Sequence, residues 1–265
     1  MFQLSLCAEV FFAKLPFPQR VQEINRRGFL AEFWTWPRYP MEALAADPQA
    51  RISIFGGTLA GSMMHPDGVE AFLEGVEQSA VVAKSIRCRN LILLTGELGS
   101  RGEMRHQVAE HPATRWITAY RTLCRVAELA EKHGLTFSLE HLNAKVDHAG
   151  YPLPRPADAA ALIRQVGSPR IKLLLDIYHA QVEQGNVIQA IRDSHDLIGH
   201  VHVADVPGRH EPGTGELHYG RVAQALREVG YQGVVGMEAW PEGDEEEAIE
   251  RFRETFSEKP RAARG

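Results

Sequence analysis

The chain has 265 residues, 44% of them hydrophobic and 24% charged, and a formal net charge of −5. This composition is that of an ordinary globular protein of one domain or two, and it excludes disordered, collagen-like and disulfide-scaffold classes. Because non-specific nucleic-acid binding needs a cationic surface, the acidic balance argues against a nucleic-acid partner.

The N-terminal segment, Met1 to Phe12, is apolar but contains Glu9 and has no basic leader. It is typical of a strand rather than of a signal peptide. No apolar run approaches the roughly 18 residues that a membrane span needs. The cysteines are widely separated and show no metal-binding spacing, which favours a reducing compartment. We therefore expect a cytoplasmic protein without a membrane partner.

Eight short apolar runs recur along the chain, each followed by a loop with glycine, proline or polar residues. Each run is too short for a buried helix and has the pattern of a strand buried on both faces, as in a parallel sheet. The predicted strands are Gln3–Cys7, Leu30–Trp34, Ile52–Phe55, Asn90–Leu94, Thr136–Leu139, Ile171–Leu175, Ile198–Val203 and Val234–Met237.

Amphipathic helical stretches lie between these strands, with apolar residues on one face of a 3.6-residue period. Gly134 and Gly230 follow two of these stretches and are expected to end them. The predicted helices are Val69–Ile86, Thr114–Lys132, Pro156–Gln165, Val187–Ser194, Tyr219–Val229 and Glu245–Phe256.

The alternation of strand and helix repeats eight times, at about 33 residues per unit. It predicts an α/β protein with a single (β/α)8 TIM barrel over residues 1–257, followed by a polar, flexible tail over 258–265. An open doubly wound sheet is the alternative. It would need fewer strands or a second domain, and the sequence shows neither a linker nor a GxGxxG turn.

Four metal-competent side chains stand at or near the ends of the last four predicted strands. Their spacings of 36, 26 and 36 residues match the repeat unit, and strands of such a barrel end at one mouth. Each residue alone would be a helix cap or an ion-pair partner. Together, three carboxylates and one imidazole suit Mn²⁺, Mg²⁺ or Co²⁺ better than structural zinc. These residues are Glu140, Asp176, His202 and Glu238.

Several residues near these strand ends are candidates for substrate contacts. His179 follows Asp176 closely, and its alternative role is support of the metal ligands. Asn143 and Gln181 are equally consistent with turn roles. The glycine-rich loop over residues 207–216 carries Arg209 and His210, and loops of this type close on ligands in many barrels.

The motifs LEHLN, LLLDIYHAQ, GHVHVADVPGRHEPGTGEL and VVGMEAWP together resemble the hydroxypyruvate isomerase family of xylose-isomerase-like barrels. The resemblance covers roughly Glu140 to Pro241. It implies that Glu140, Asp176, His202 and Glu238 bind a divalent metal ion and that Glu140 and Glu238 also move protons. His179 matches a substrate-contacting histidine of the family, and Arg209 lies in a loop that fits its pattern.

Three features depart from the family pattern. Hydroxypyruvate isomerases usually carry glutamine at the strand-seven ligand position, where this chain has His202, as the ketose 3-epimerases do. The loop GGTLAGSMMHPDG lacks the sequence expected after strand three. Trp34 and Trp36 predict an aromatic wall that a three-carbon substrate does not require. These departures leave the substrate open.

The site suits proton abstraction next to a carbonyl, with the metal stabilising the enediolate that develops. The first hypothesis is therefore a metal-dependent sugar or hydroxy-keto-acid isomerase of the hydroxypyruvate isomerase type. The second is a ketose 3-epimerase acting on a larger sugar, and a keto-sugar dehydratase is a third. Endonuclease IV chemistry would need more histidines and a cationic surface, and a binding module would need no metal. The partner is expected to be a small molecule, and a homo-oligomer remains open.

Overall fold

The computed structural model describes residues 2–105 and 109–257. Eight parallel strands close into a barrel in chain order, with β1 paired to β8. The predicted barrel is confirmed, and each strand end lies within one residue of its predicted position. The predicted tail lies outside the described residues. The strands are β1 (Gln3–Cys7), β2 (Leu30–Phe33), β3 (Ile52–Gly56), β4 (Asn90–Leu93), β5 (Thr136–Glu140), β6 (Ile171–Asp176), β7 (Ile198–Val203) and β8 (Val234–Met237).

Helices surround the barrel, and two of them lie between β6 and β7. The six predicted helices are present, and the sequence did not predict α1, α2 and α6. The helices are α1 (Phe17–Arg26), α2 (Met41–Ala46), α3 (Val69–Ser85), α4 (Pro112–His133), α5 (Pro156–Val166), α6 (Ile177–Glu183), α7 (Val187–Ser194), α8 (Tyr219–Glu228) and α9 (Glu245–Ser257).

Two predicted helix stops have the expected geometry. Gly134 caps α4 with φ of +67°, and Gly230, just after α8, has φ of +76°. Glycine adopts this left-handed conformation without the steric cost that a Cβ imposes. In the first case the chain turns directly into β5.

The strands present different residues to the two sides of the barrel. Leu173 and Leu175 of β6 pack in the large core beneath the helices, whereas Leu174 contacts Ile54 and Ile92 in a separate small cluster. Because β6 neighbours neither β3 nor β4, this second cluster lies across the barrel interior. Successive side chains of a strand point to opposite faces, so alternate residues of the last strands also point inward.

No helix over residues 2–105 or 109–257 is both long and apolar enough to span a membrane.

Candidate active site

The four predicted metal ligands converge at one end of the barrel. Glu140 and Asp176 are the last residues of β5 and β6, His202 lies in β7, and Glu238 directly follows β8. All four side chains are buried. Each contributes one ligand atom to a group in which all atoms lie within 4.8 Å of one another. The structure therefore brings together the residues that the strand spacing indicated.

One imidazole nitrogen lies among the three carboxylates. His202 Nδ1 is 3.1 Å from Glu238 Oε2, 3.4 Å from Glu140 Oε1 and 3.9 Å from Asp176 Oδ2. His202 Nδ1 and Glu140 Oε1 have no hydrogen-bond partner among the described residues, although both atoms are buried. Buried polar atoms without a partner are costly. Three oxygen donors and one nitrogen donor fit a divalent cation of the Mn²⁺, Mg²⁺ or Co²⁺ type.

The acid strengths of these carboxyl groups differ because their neighbours differ. Burial, together with the nearby charges of Glu238 and Asp176, raises the pKa of Glu140 to about 7 against the opposing effect of His202. Burial also raises the pKa of Asp176 to about 6. Burial acts in the same direction on Glu238, but Arg209 and His202 outweigh it and lower the pKa of Glu238 to about 2. Glu238 is thus the carboxylate that most readily stays ionised.

Arg209 explains the difference between the two glutamates. Its Nη2 lies 3.0 Å from Glu238 Oε1, and its guanidinium lies over the rings of Tyr178 and Trp240, at 5.0 and 5.4 Å from their centroids. Cation–π contact with two aromatic faces stabilises this half-buried guanidinium. Arg209 has φ of +57°, an uncommon conformation for a residue with a Cβ. The loop after β7 therefore delivers this cation to the site.

His179 lies on α6, which follows β6 without an intervening loop. The Asp176 carboxylate accepts a hydrogen bond from the backbone N–H of His179 at 2.8 Å and so caps this helix. Asn143 donates its backbone N–H to His179 Nδ1, at 3.3 Å. Nδ1 is therefore an acceptor, and Nε2 carries the proton. Nε2 lies 3.8 Å from Asp176 Oδ2 and has no hydrogen-bond partner among the described residues.

Asn143 lies behind His179 rather than on the cavity wall. Its side-chain amide contacts Asp147 Oδ2 at 2.6 Å, and its Oδ1 accepts the backbone N–H groups of Val146 and Asp147. The side chain is therefore occupied by contacts within the protein. Gln181 is likewise engaged, as a donor to Glu216.

Two exposed tryptophans border the site. Trp34 and Trp240 retain 39% and 43% of their surface, and their rings lie 5.8 Å apart. Trp36 is instead partly buried and donates its indole N–H to Ser79 Oγ at 2.9 Å. The aromatic wall expected from Trp34 and Trp36 is thus formed by Trp34 and Trp240, which both line the cavity.

A cavity of about 580 Å³ opens beside the cluster of four proposed ligands, and Glu140 and Glu238 form part of its wall. Its wall includes residues that the sequence analysis did not single out. His148 donates from Nδ1 to the carbonyl oxygen of Gly102 at 2.7 Å, which leaves Nε2 as an acceptor without a partner among the described residues. His148 lies in an irregular segment after β5, so no repeat spacing could have indicated it. The further wall residues are Arg38, Thr58, Leu94, Leu98, Arg101 and Asp147.

Comparison with known protein families agrees with this geometry. Residues 34–255 match the model of the xylose isomerase-like TIM barrel. A mouse protein named "Putative hydroxypyruvate isomerase" is 34% identical over 255 residues, which cover 91% of each chain. This chain belongs to the hydroxypyruvate isomerase family of xylose isomerase-like barrels. It is an isomerase, as its relatives are named.

One further relative and three solved structures are similar to this chain over more than nine tenths of its length. A 2-oxo-tetronate isomerase of Pectobacterium atrosepticum is 28% identical over 251 residues, with 91% of this chain and 92% of the relative covered. A Brucella melitensis structure described as an AP endonuclease of family 2 superposes with a TM-score of 0.85 at 25% identity, covering 96% of this chain and 99% of that one. The Clostridium cellulolyticum D-psicose 3-epimerase gives 0.78 at 18% identity, with coverages of 96% and 99%. The zinc-containing IOLI protein gives 0.78 at 15%, with 96% of both chains covered. The last two show the fold alone.

Proposed function

We propose that this chain is a divalent-metal-dependent isomerase that interconverts the aldehyde and ketone forms of a small hydroxy-keto acid, such as hydroxypyruvate or a four-carbon 2-oxo acid. The observation that carries the proposal is the cluster of three carboxylates and one imidazole whose ligand atoms lie within 4.8 Å of one another, next to a cavity that two of these residues line. The names of the curated relatives support the substrate class.

The proposed metal ligands are Glu140, Asp176, His202 and Glu238. Two of their ligand atoms lack hydrogen-bond partners in the described part of the chain, which a bound cation would explain. A divalent cation held there would act as a Lewis acid on the carbonyl oxygen of the substrate. It would also compensate the mutual repulsion of three buried carboxylates.

Glu238 and Glu140 are the proposed acid–base pair. Glu238 stays ionised beside Arg209 and is suited to remove the proton next to the carbonyl. Glu140 stands at the end of β5, three strands away from β8, and is suited to return a proton on the other side. Return of the proton to the neighbouring carbon, with a proton shift between the two oxygens, converts the aldehyde and ketone forms into each other.

Three residues are proposed to bind the substrate. His179 presents its Nε2–H beside Asp176 and is positioned to donate to a substrate oxygen. Arg209 supplies a half-buried positive charge on the cavity wall, which suits a carboxylate. Trp34 covers the open side and limits the access of water. Asn143, which we expected to contact the substrate, is now proposed to orient His179.

A ketose 3-epimerase is the second candidate function. His202 supplies a nitrogen ligand at the position where the resemblance distinguishes the two activities. The Trp34–Trp240 pair and a cavity of about 580 Å³ also leave room for a substrate longer than three carbons. The same acid–base pair would then return the proton to the opposite face of the carbon that lost it.

A substrate panel tests the proposal. The protein is stripped with EDTA, supplied with Mn²⁺, Mg²⁺ or Co²⁺, and offered hydroxypyruvate, 2-oxo-tetronate and ketoses of four to six carbons, with products identified by NMR. We expect metal-dependent turnover of a keto acid. Faster turnover of a ketose to its C3 epimer would favour the second candidate. Equal turnover with and without metal would contradict both.

We also propose that the chain works in a reducing compartment such as the cytoplasm. Cys7, Cys88 and Cys124 are free thiols, and the first two are buried. Burial raises the pKa of Cys7 and Cys88, which keeps both thiols protonated and unreactive.

A further inference from the structure

A buried glutamate lies on the side of His202 that faces away from the other proposed ligands. Glu32 of β2 is 2% exposed, and its Oε1 lies 3.4 Å from His202 Nε2. Its other oxygen, Oε2, accepts a hydrogen bond from Ser5 Oγ at 2.6 Å and lies 3.1 Å from His200 Nε2. Because β2 and β7 are not neighbours, the contacts of Glu32 with His200 and His202 run across the barrel interior.

The two facing atoms are buried and lack hydrogen-bond partners. Among the described residues, neither Glu32 Oε1 nor His202 Nε2 makes a hydrogen bond, and their mutual contact at 3.4 Å is an ion-pair distance. Ser5 and His200 already occupy Oε2, so Oε1 is the oxygen left for His202. Gly236 of β8 leaves room for the Glu32 carboxylate, because a Cβ at this position would lie 2.2 Å from Glu32 Oε2.

We propose that Glu32 is a positioning residue for the metal site: it accepts the Nε2–H of His202 and thereby directs the lone pair of Nδ1 toward the metal. In a neutral imidazole one nitrogen donates and the other accepts, so fixing one fixes the other. Metal-binding histidines commonly donate their second N–H to a carboxylate. The inference rests on the proposed function, because it assumes that His202 is a metal ligand.

Glu32, His200 and His202 also form a second group whose ligand atoms lie within 4.8 Å of one another. A second cation there would compete with Ser5 and His200 for Glu32 Oε2. We therefore infer a hydrogen-bonded support rather than a second metal site. The number of ions bound per chain distinguishes the two.

Equilibrium Mn²⁺ binding to the metal-stripped full chain tests this role, with free Mn²⁺ measured by EPR. We expect Glu32→Gln to raise the Kd by roughly 10–100-fold. The same change made on a His202→Ala background should alter the Kd by no more than about twofold, because Glu32 then has no ligand to position. Ser5→Ala is the matched control, since it removes a partner of Oε2 and leaves Oε1 in place.

The outcomes separate the inference from the function beneath it. If the wild-type chain binds no Mn²⁺, the proposed function and the inference both fall. If the wild type binds one ion and Glu32→Gln binds Mn²⁺ as tightly as the wild type does, the inference alone is overturned. The same holds if Glu32→Gln raises the Kd as much on the His202→Ala background as it does in the wild-type background. Two ions per chain would also overturn it. Circular dichroism shows whether each variant is folded. If Glu32→Gln does not fold, Glu32→Asp replaces it, since this change retracts the carboxylate by one methylene group. Glu32→Asp should also weaken Mn²⁺ binding.

Discussion

At the scale of single residues, two glutamates at the same mouth differ because of one arginine. Glu140 and Glu238 are both buried, yet the pKa of one is raised to about 7 and that of the other is lowered to about 2. Only Glu238 contacts Arg209. Groups whose environments push their pKa values apart are suited to act as acid and base.

Replacing Glu238 by glutamine should therefore remove both a base and a proposed ligand. We expect kcat to fall by about 10²–10⁴-fold, the range that a positioned acid or base contributes. Steady-state kinetics on the substrate found by the panel measures this loss. Glu242→Gln, an exposed change four residues further along the chain, is the control and should keep full activity. Retention of more than about a tenth of the kcat by Glu238→Gln would contradict the proposed role.

Glu9 gives a prediction about stability. Burial raises its pKa to about 7 from an ordinary 4.5, although the backbone N–H groups of Trp34 and Thr35 oppose this shift. Between these values the folded protein keeps a proton that the unfolded chain has lost. The free energy of unfolding therefore falls as the pH rises from about 4.5 to about 7.

Glu9→Gln should abolish this contribution. We expect the difference in the free energy of unfolding, variant minus wild type, to be about 2–3 kcal/mol larger at pH 8 than at pH 5. Urea unfolding at several pH values measures it. A difference that stays constant with pH for Glu9→Gln would count against a Glu9 carboxyl that keeps its proton in the folded protein.

The sequence could indicate the four proposed ligands because they recur with the strands. All four could be predicted from the positions of the strand ends and from the rule that the parallel strands of a barrel end at one mouth. His148 and Glu32 could not be found this way. His148 lies in an irregular segment, and Glu32 points into the interior from a strand on the far side of the barrel, so both depend on tertiary packing.

At the scale of elements, the sequence predicts structure where a pattern runs long enough. The strands are indicated by apolar runs between turn signals, and the six longer helices other than α1 by a 3.6-residue period. The helices α2 and α6 have only six and seven residues, which is too short for a period to be measured. The helix α1 is different, because its buried residues Phe17, Val21 and Ile24 have the spacing of a helical face, and the sequence interpretation overlooked them.

Close approach of β2 and β3 gives a prediction at this scale. A Cβ at Gly56 would lie 1.9 Å from the backbone oxygen of Trp34, which no side-chain movement can relieve. Gly56→Ala should therefore lower the free energy of unfolding by about 1–3 kcal/mol, as overpacking does. Chemical denaturation measures it. Gly243→Ala, where a Cβ meets nothing within 4 Å, is the control, and an equal effect of the two changes would refute the steric explanation.

At the scale of the whole molecule, the barrel follows from eight repeats of one unit, and its strands pair in chain order, which places the last four strands side by side. This arrangement accounts for the site, because the end of each of these strands contributes one proposed ligand to a group of atoms within 4.8 Å of one another. The repeat alone does not specify the substrate. The substrate depends on the walls, where Trp34, Trp240 and Arg209 come from three different loops whose conformations no periodic pattern determines.

The most direct test of the central claim is the anomalous scattering of a crystal of the full chain grown with Mn²⁺. We predict one strong peak per chain, at about 2 Å from a ligand atom of Glu140, Asp176, His202 and Glu238. A well-ordered map with no peak among these four residues, or with the peak elsewhere on the barrel, would contradict the account.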